Sequence, residues 1–325
     1  MINLFITILN MSLTGAFVIG AICLTRLILR KSPKILLYCL WIVAGFRLVF
    51  PFSIESSFSL MPFGTQVIPV DIAMDSTWYT NDFSVVALLD GGSSSQMWMT
   101  IGLMVWLAGV FFMLIRGVNS LAILKGKLKE ATNVEANVYQ VETLKTPLVI
   151  GVFSPKIYLP AHLSAKERKL IVLHEQAHIR RRDHVVKFVA YFILCLHWFN
   201  PLVWLAFSLM NMDMEMSCDE RVLKELGIGG EVKKSYSSAL LSLATEQPIV
   251  PRSTLAFIDG DVRPRVKNIL NLKKQSFVVF VMSMLLVVVL SVGFSVNRVN
   301  TYATNYDVNQ EANQADFFHT HPCCE

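Results

Sequence analysis

IVLHEQAHIRRRD, residues 171–183, decides how the rest of the chain is read. His174 and His178 stand one helical turn apart, so on a helix both imidazoles share a face and can reach one ion. Glu175 follows the first histidine and points toward the same cleft, placed to take a proton from water. That pattern is the signature of a zinc hydrolase helix. Ser164, with Glu167 three residues on, forms a capping box that starts the helix near residue 165.

A catalytic zinc takes three protein ligands and leaves a position open. The segment NMDMEMSCDERVLKE, residues 211–225, offers Glu215 and Asp219, again i and i+4. Glu215 is the expected third ligand. Asp219 is expected to accept the other ring N–H of a ligating histidine and orient it. Asp213, Glu220 and Asp183 rank below this pair, and Cys218 is expected to pack as a small apolar side chain.

Composition places these residues at a membrane. Hydrophobic residues make up 54% and charged residues only 16% of the 325, too apolar for an ordinary soluble domain. Four runs approach the roughly 20 residues needed to cross a bilayer: 3–25, 35–53, 97–117 and 277–297. Residues 26–34 carry Arg26, Arg30, Lys31 and Lys34, whereas 54–96 carry five acids and no Lys or Arg. Excess Lys/Arg marks cytoplasmic loops. The expected topology therefore has both termini and the 54–96 loop extracytoplasmic, with 118–275 in the cytoplasm, where 22 of the 29 basic residues lie. The first run lacks a basic leader and a small-residue cleavage site, so it is expected to be retained. The net charge of +5 is read as lipid contact rather than direct nucleic-acid binding. Arg47 is expected to snorkel outward. The six cysteines do not form a disulfide framework, and the HTHPCC ending is read as a disordered tail.

Residues 118–131 have the spacing of a separate helix at the membrane surface. Strands are expected near 137–142, 147–153 and 156–159, with an interrupted edge able to accept an extended peptide. Residues 185–212 are apolar but broken at Asn200-Pro201, predicting a membrane-associated hairpin of two short helices. Three prolines in 246–266 predict an exposed linker.

The zinc motif, then IRRRD, HWFNPLVWL (197–205) and EMSCDE (215–220), together with TPLVIGVFSPKIYLP (146–160), resemble the BlaR/MecR type of membrane zinc metallopeptidase. The likeness extends from residue 1 to about 297. It implies an integral membrane, mainly α-helical protein: four transmembrane helices with a cytoplasmic α+β, gluzincin-like zinc metallopeptidase domain. It further implies Zn2+ as cofactor and a relay that activates the site from outside. Self-cleavage near Ala256 and Phe257, or cleavage of a transcriptional repressor, would then derepress genes such as antibiotic-resistance genes. His184 and Tyr158 are both open as partners of the tetrahedral oxyanion. The family's receptors carry a penicillin-binding domain after the last span, whereas 298–325 is too short for one; the 54–96 loop, a separate sensor protein or a truncated product are the expected alternatives. Two competing readings stand beside this one: a housekeeping membrane protease, and a non-enzymatic signalling scaffold with a structural metal.

Overall fold

The computed structural model describes residues 2–30, 32–51, 54–55, 59–60, 94–151, 153–245, 262–273 and 276–297. Most of these residues are helical: α1 Ile2–Ile28, α2 Lys34–Val49, α3 Ser94–Lys127, α4 Ala165–Arg181, α5 Asp183–Leu196, α6 Pro201–Leu226, α7 Gly230–Thr245, α8 Val262–Asn271 and α9 Phe277–Ser295. Strands β2 Thr132–Glu135, β3 Val138–Val141, β4 Leu148–Ile150 and β5 Lys156–Pro160 form a mixed sheet in the order β2-β3-β5-β4. β1 Ile54–Glu55 pairs in parallel with β6 Val296–Asn297.

Three helices among the described residues are long and apolar enough to cross a membrane: Asn3–Ile28, Met97–Lys127 and Phe277–Ser295. The run expected at 35–53 forms a helix of only 16 residues, because Pro33 precedes it and Pro51 follows it and the prolines bound the run on both sides. α3 continues through the stretch expected to form a separate surface helix. No proline interrupts it, and its 34 residues reach about 51 Å at 1.5 Å per residue.

Arg47 does not snorkel outward. It is buried and donates from Nε to the Phe294 carbonyl (2.6 Å) and from Nη2 to the Val296 carbonyl (3.0 Å). Carbonyls at a helix C-terminus lack helical partners and carry partial negative charge, so the guanidinium gains more there than from leaving the bundle. This contact also makes α2 and α9 run in the same direction.

The hairpin of α5 and α6 enters the bundle. Its corner is fixed by His197 Nε2 at 2.9 Å from the Leu48 carbonyl and by Asn200 Nδ2 donating to Ser12 Oγ at 2.8 Å. Tyr191 donates to the Met113 carbonyl on α3. Gly109 makes this approach possible, since a Cβ there would fall 2.1 Å from the Trp198 ring. Asn200 caps α6 by accepting from Leu202 N, and Pro201 takes the first helical position, where its missing N–H costs nothing. With no further breaker before Gly227, α6 runs from the hairpin through Glu215 as one helix of 26 residues. The second arm expected to be short is therefore the start of the candidate ligand helix.

α6 joins two cores. Val203, Phe207, Met210 and Met214 pack with Val18, Leu40, Trp41 and Leu194 of the bundle. Cys218, Val222 and Leu223 pack with Ala177, Tyr236 and Ile269. A third cluster joins the sheet to α4 through Ile157, Leu159 and Ile171.

Candidate metal centre

α4 begins as its sequence dictates: Glu167 N donates to Ser164 Oγ, and Ser164 N donates back to Glu167 Oε2. It ends at Arg182, whose φ of 57° lies in the left-handed region. That residue lets α5 start immediately, which folds Asp183 back toward the last turn of α4.

His174 and His178 are buried on one face of α4, their rings nearly perpendicular and 4.7 Å apart. Their Nε2 atoms are 3.1 Å apart. Glu215 Oε2 lies 3.3 Å from His174 Nε2 and 3.4 Å from His178 Nε2. Atoms bound 2.0–2.1 Å from a tetrahedral zinc ion sit about 3.3 Å from one another. The three atoms are thus spaced as one face of such a coordination shell.

The opposite edge of each ring explains which atoms carry protons. Tyr236 donates its single hydroxyl proton to Asp219 Oδ1 (2.9 Å) and accepts from His174 Nδ1 (2.8 Å). His178 Nδ1 faces Asp183 Oδ2 at 2.7 Å. With both Nδ1 atoms donating, both Nε2 atoms present lone pairs. Two lone pairs and a carboxylate oxygen then converge on one point, an arrangement that a divalent cation satisfies.

The electrostatics agree. Burial disfavours charge on His174, yet Cys218 and Glu215 outweigh it and push its pKa up to about 10, so a cation bound at Nε2 would take the place of a proton there. Burial also opposes ionisation of Glu215, but Lys187, His178 and Arg265 hold its carboxyl well below the usual range. Lys187 Nζ donates to Glu215 Oε1 at 3.0 Å. The centre as built calls for positive charge.

Glu175 is buried, lines the adjoining cavity and makes no hydrogen bond to a described residue. That cavity measures about 460 Å3 and is bounded by β4 (Leu148, Val149), the end of α3 (Ile123, Leu124) and α7. β4 is an edge strand, bonded to β5 on one side.

Asp219 meets His174 through Tyr236 and at 3.4 Å directly. Asp183, ranked low on spacing, orients His178; its five-residue offset fits no helical face, and only the left-handed Arg182 brings it back. Asp213 and Glu220 turn away from the centre, bonding Arg26 and Trp41 in one case and Lys34 N and Asn268 in the other. Cys218 packs in the apolar cluster as expected and donates to the His174 carbonyl at 3.5 Å. Its Sγ and nitrogens of both histidines nevertheless lie within 4.8 Å of one another, a proximity the apolar reading did not include. His184 lines the cavity with both ring nitrogens buried and unpartnered among the described residues. Tyr158 does not reach it; it stacks on Tyr139 at 5.3 Å. Ala256 and Phe257 fall outside the described residues, as do most of the 54–96 loop, most of the 246–266 linker and the 298–325 tail. Tyr236 and Arg265, both central to the centre, carry no motif that would have singled them out.

Fold and site together define a helical membrane protein with a buried cluster of side chains of metal-ligating types. The chain belongs to the BlaR1 peptidase M56 family, whose sequence profile matches residues 6–269. It is 40% identical to the regulatory protein BlaR1 of Bacillus licheniformis over 86 residues, 26% of this chain and 14% of that protein. It is 28% identical to the methicillin resistance mecR1 proteins of Staphylococcus aureus and Staphylococcus epidermidis over 132 residues, 39% of this chain and 23% of theirs. The aligned part thus spans less than a quarter of each relative.

Proposed function

We propose that the chain is a membrane-embedded zinc endopeptidase acting in transmembrane signalling, with His174, His178 and Glu215 holding the metal. The observation that carries this reading is the convergence of two imidazole lone pairs and one carboxylate oxygen within 3.1–3.4 Å. Glu215 is chosen over Cys218 because Glu215 opens on the cavity, whereas Cys218 lies in the apolar cluster between α4 and α6. Zinc, when bound, polarises the scissile carbonyl and lowers the pKa of water to about 7.

The side chains supply the rest. Glu175, which has no hydrogen-bonding partner among the described residues, takes the proton of the attacking water and passes it to the leaving amine. Asp183 and the Tyr236–Asp219 pair hold the two imidazoles in one tautomer. The free edge of β4 binds an extended peptide through main-chain hydrogen bonds, and the apolar walls from α3 and α7 receive its side chains. A purely structural metal has no use for Glu175 beside it, which speaks against a scaffold.

α2 is proposed as a fourth, short crossing, since it runs parallel to α9 within the bundle. The four Lys and Arg of the short 26–34 loop, against none in 54–96, support a centre on the cytoplasmic side of a bacterial cell membrane. The names of the relatives, a regulatory protein and methicillin resistance proteins, support an outcome in which cleavage of the chain itself, near Ala256 and Phe257, or of a repressor derepresses genes. Glu175→Gln in the full chain is expected to retain zinc and lose all cleavage, read by metal analysis and mass mapping of products. Normal proteolysis with normal zinc would refute the role.

A further inference from the structure

Arg265 projects from α8 into the centre, an element separated from α4 and α6 in sequence and leading directly to α9. Its Nε and Nη2 fork onto Asp219 Oδ2 and Oδ1 at 2.9 and 2.8 Å. Nη1 lies 3.3 Å from Glu215 Oε2, and Nη2 lies 3.3 Å from His174 Nε2. The guanidinium therefore abuts two of the three atoms proposed to hold the metal, and it lines the cavity.

A guanidinium has five N–H donors in a rigid fork. Asp219 takes two, Glu215 takes one and His174 Nε2 meets a fourth; a metal on that nitrogen would free the fourth, which joins the fifth beside the cavity. The fork fixes their direction in advance, which is the requirement for stabilising charge that develops only during reaction. Simple neutralisation of Glu215 does not account for this placement, because Lys187 already pairs with its other oxygen.

We propose that Arg265 is a catalytic residue that binds the scissile carbonyl oxygen as it becomes an oxyanion. The proposal rests on the endopeptidase reading. Water adds to the carbonyl carbon, its proton passes to Glu175, and the π electron pair moves onto the oxygen facing Arg265. The C–N bond then breaks, and Glu175 returns the proton to the departing nitrogen. The oxyanion pair re-forms the C=O bond, giving a carboxylic acid and an amine, and the acid's remaining proton passes to the amine to leave a carboxylate and an ammonium group.

The test uses the zinc-loaded full chain in detergent with two probes: a phosphoryl-dipeptide, whose tetrahedral anion mimics the oxyanion, and a thiol dipeptide of the same side chains, which presents no oxyanion. R265K and R265Q are expected to keep full zinc occupancy. Both are expected to bind the phosphoryl probe about 100-fold more weakly, as when one oxyanion donor is lost, with thiol binding changed less than about 3-fold. Unaltered phosphoryl binding at full zinc occupancy would overturn the proposal. So would equal weakening of both probes, or zinc loss in both variants, either of which makes Arg265 a positioning residue for Asp219. Zinc-loaded wild type that binds neither probe would instead sink the endopeptidase reading, and this proposal with it.

Discussion

Four of the five carboxylates on helix α6 meet two different surroundings. Glu215 and Asp219 face the metal centre, meeting His174, His178, Tyr236 and Arg265. Asp213 and Glu220 face the membrane helices and α8: Arg26 forks onto Asp213 at 2.8 and 2.7 Å, Trp41 donates to it at 2.9 Å, and Glu220 accepts from Lys34 N and from Asn268. The four are alike in chemistry and close in sequence. What separates them is rotation about the helix axis, since residues two apart on a helix point in different directions. Both faces meet built-in cations, Lys187 and Arg265 on one and Arg26 on the other, but only the first also meets two imidazoles.

The sharpest way to break this division is to exchange the fates of the two faces. Glu215→Ala is expected to reduce bound zinc from about one per chain to none, after which chelators no longer shift Tm. Cys218→Ser, on the buried side of the same helix, is expected to leave zinc content unchanged; loss of metal from that variant would make the thiolate the third ligand.

Asp213→Ala should act on stability instead. Removing one partner of a buried pair leaves an uncompensated charge and costs about 3–5 kcal/mol, seen as a large fall in Tm, while the fraction that remains folded binds zinc as before. Weakened zinc binding without a stability loss would show that the two faces are coupled.

Asp219→Asn and Asp183→Asn are expected to lower zinc affinity about 10–100-fold without abolishing it, because each removes an acceptor that orients a ligating ring. Competition with a fluorescent chelator measures this. Equal effects would show that the two histidines depend alike on their partners.

The smallest effect belongs to the start of α4. Ser164→Ala should cost about 1 kcal/mol. Hydrogen bonds from Ser164 hold the Glu167 carboxyl below its ordinary range. A depressed folded-state pKa means that this stabilisation is present above the unfolded value and is lost as pH falls through the folded one. The cap is therefore complete at neutral pH and fades in acid, and Tm measured against pH should fall less steeply in the Ser164→Ala chain.

Features resting on local periodicity were legible in advance. The capping box, the shared face of His174 and His178, the alignment of Glu215 with Asp219, and strands near 137–142 and 156–159 all follow from spacing within one element. Features resting on two elements were not. Asp183 reaches His178 only because Arg182 adopts a left-handed conformation, and Tyr236 reaches His174 only because α7 packs against α4. α3 and α6 run longer than expected because nothing in either stretch is strong enough to stop a helix, and tertiary packing supports the extra turns.

Sequence alone determined that this chain enters a membrane and sets two histidines on one helix face, because apolar length and helical phase are properties of contiguous residues. Tertiary structure alone decided which carboxylate meets which imidazole, that Arg47 turns inward to the end of α9, and that Arg265 reaches the centre. Those choices depend on which charges become neighbours once water is excluded, and the energy of burying a charge is set by its partner rather than by its place along the chain.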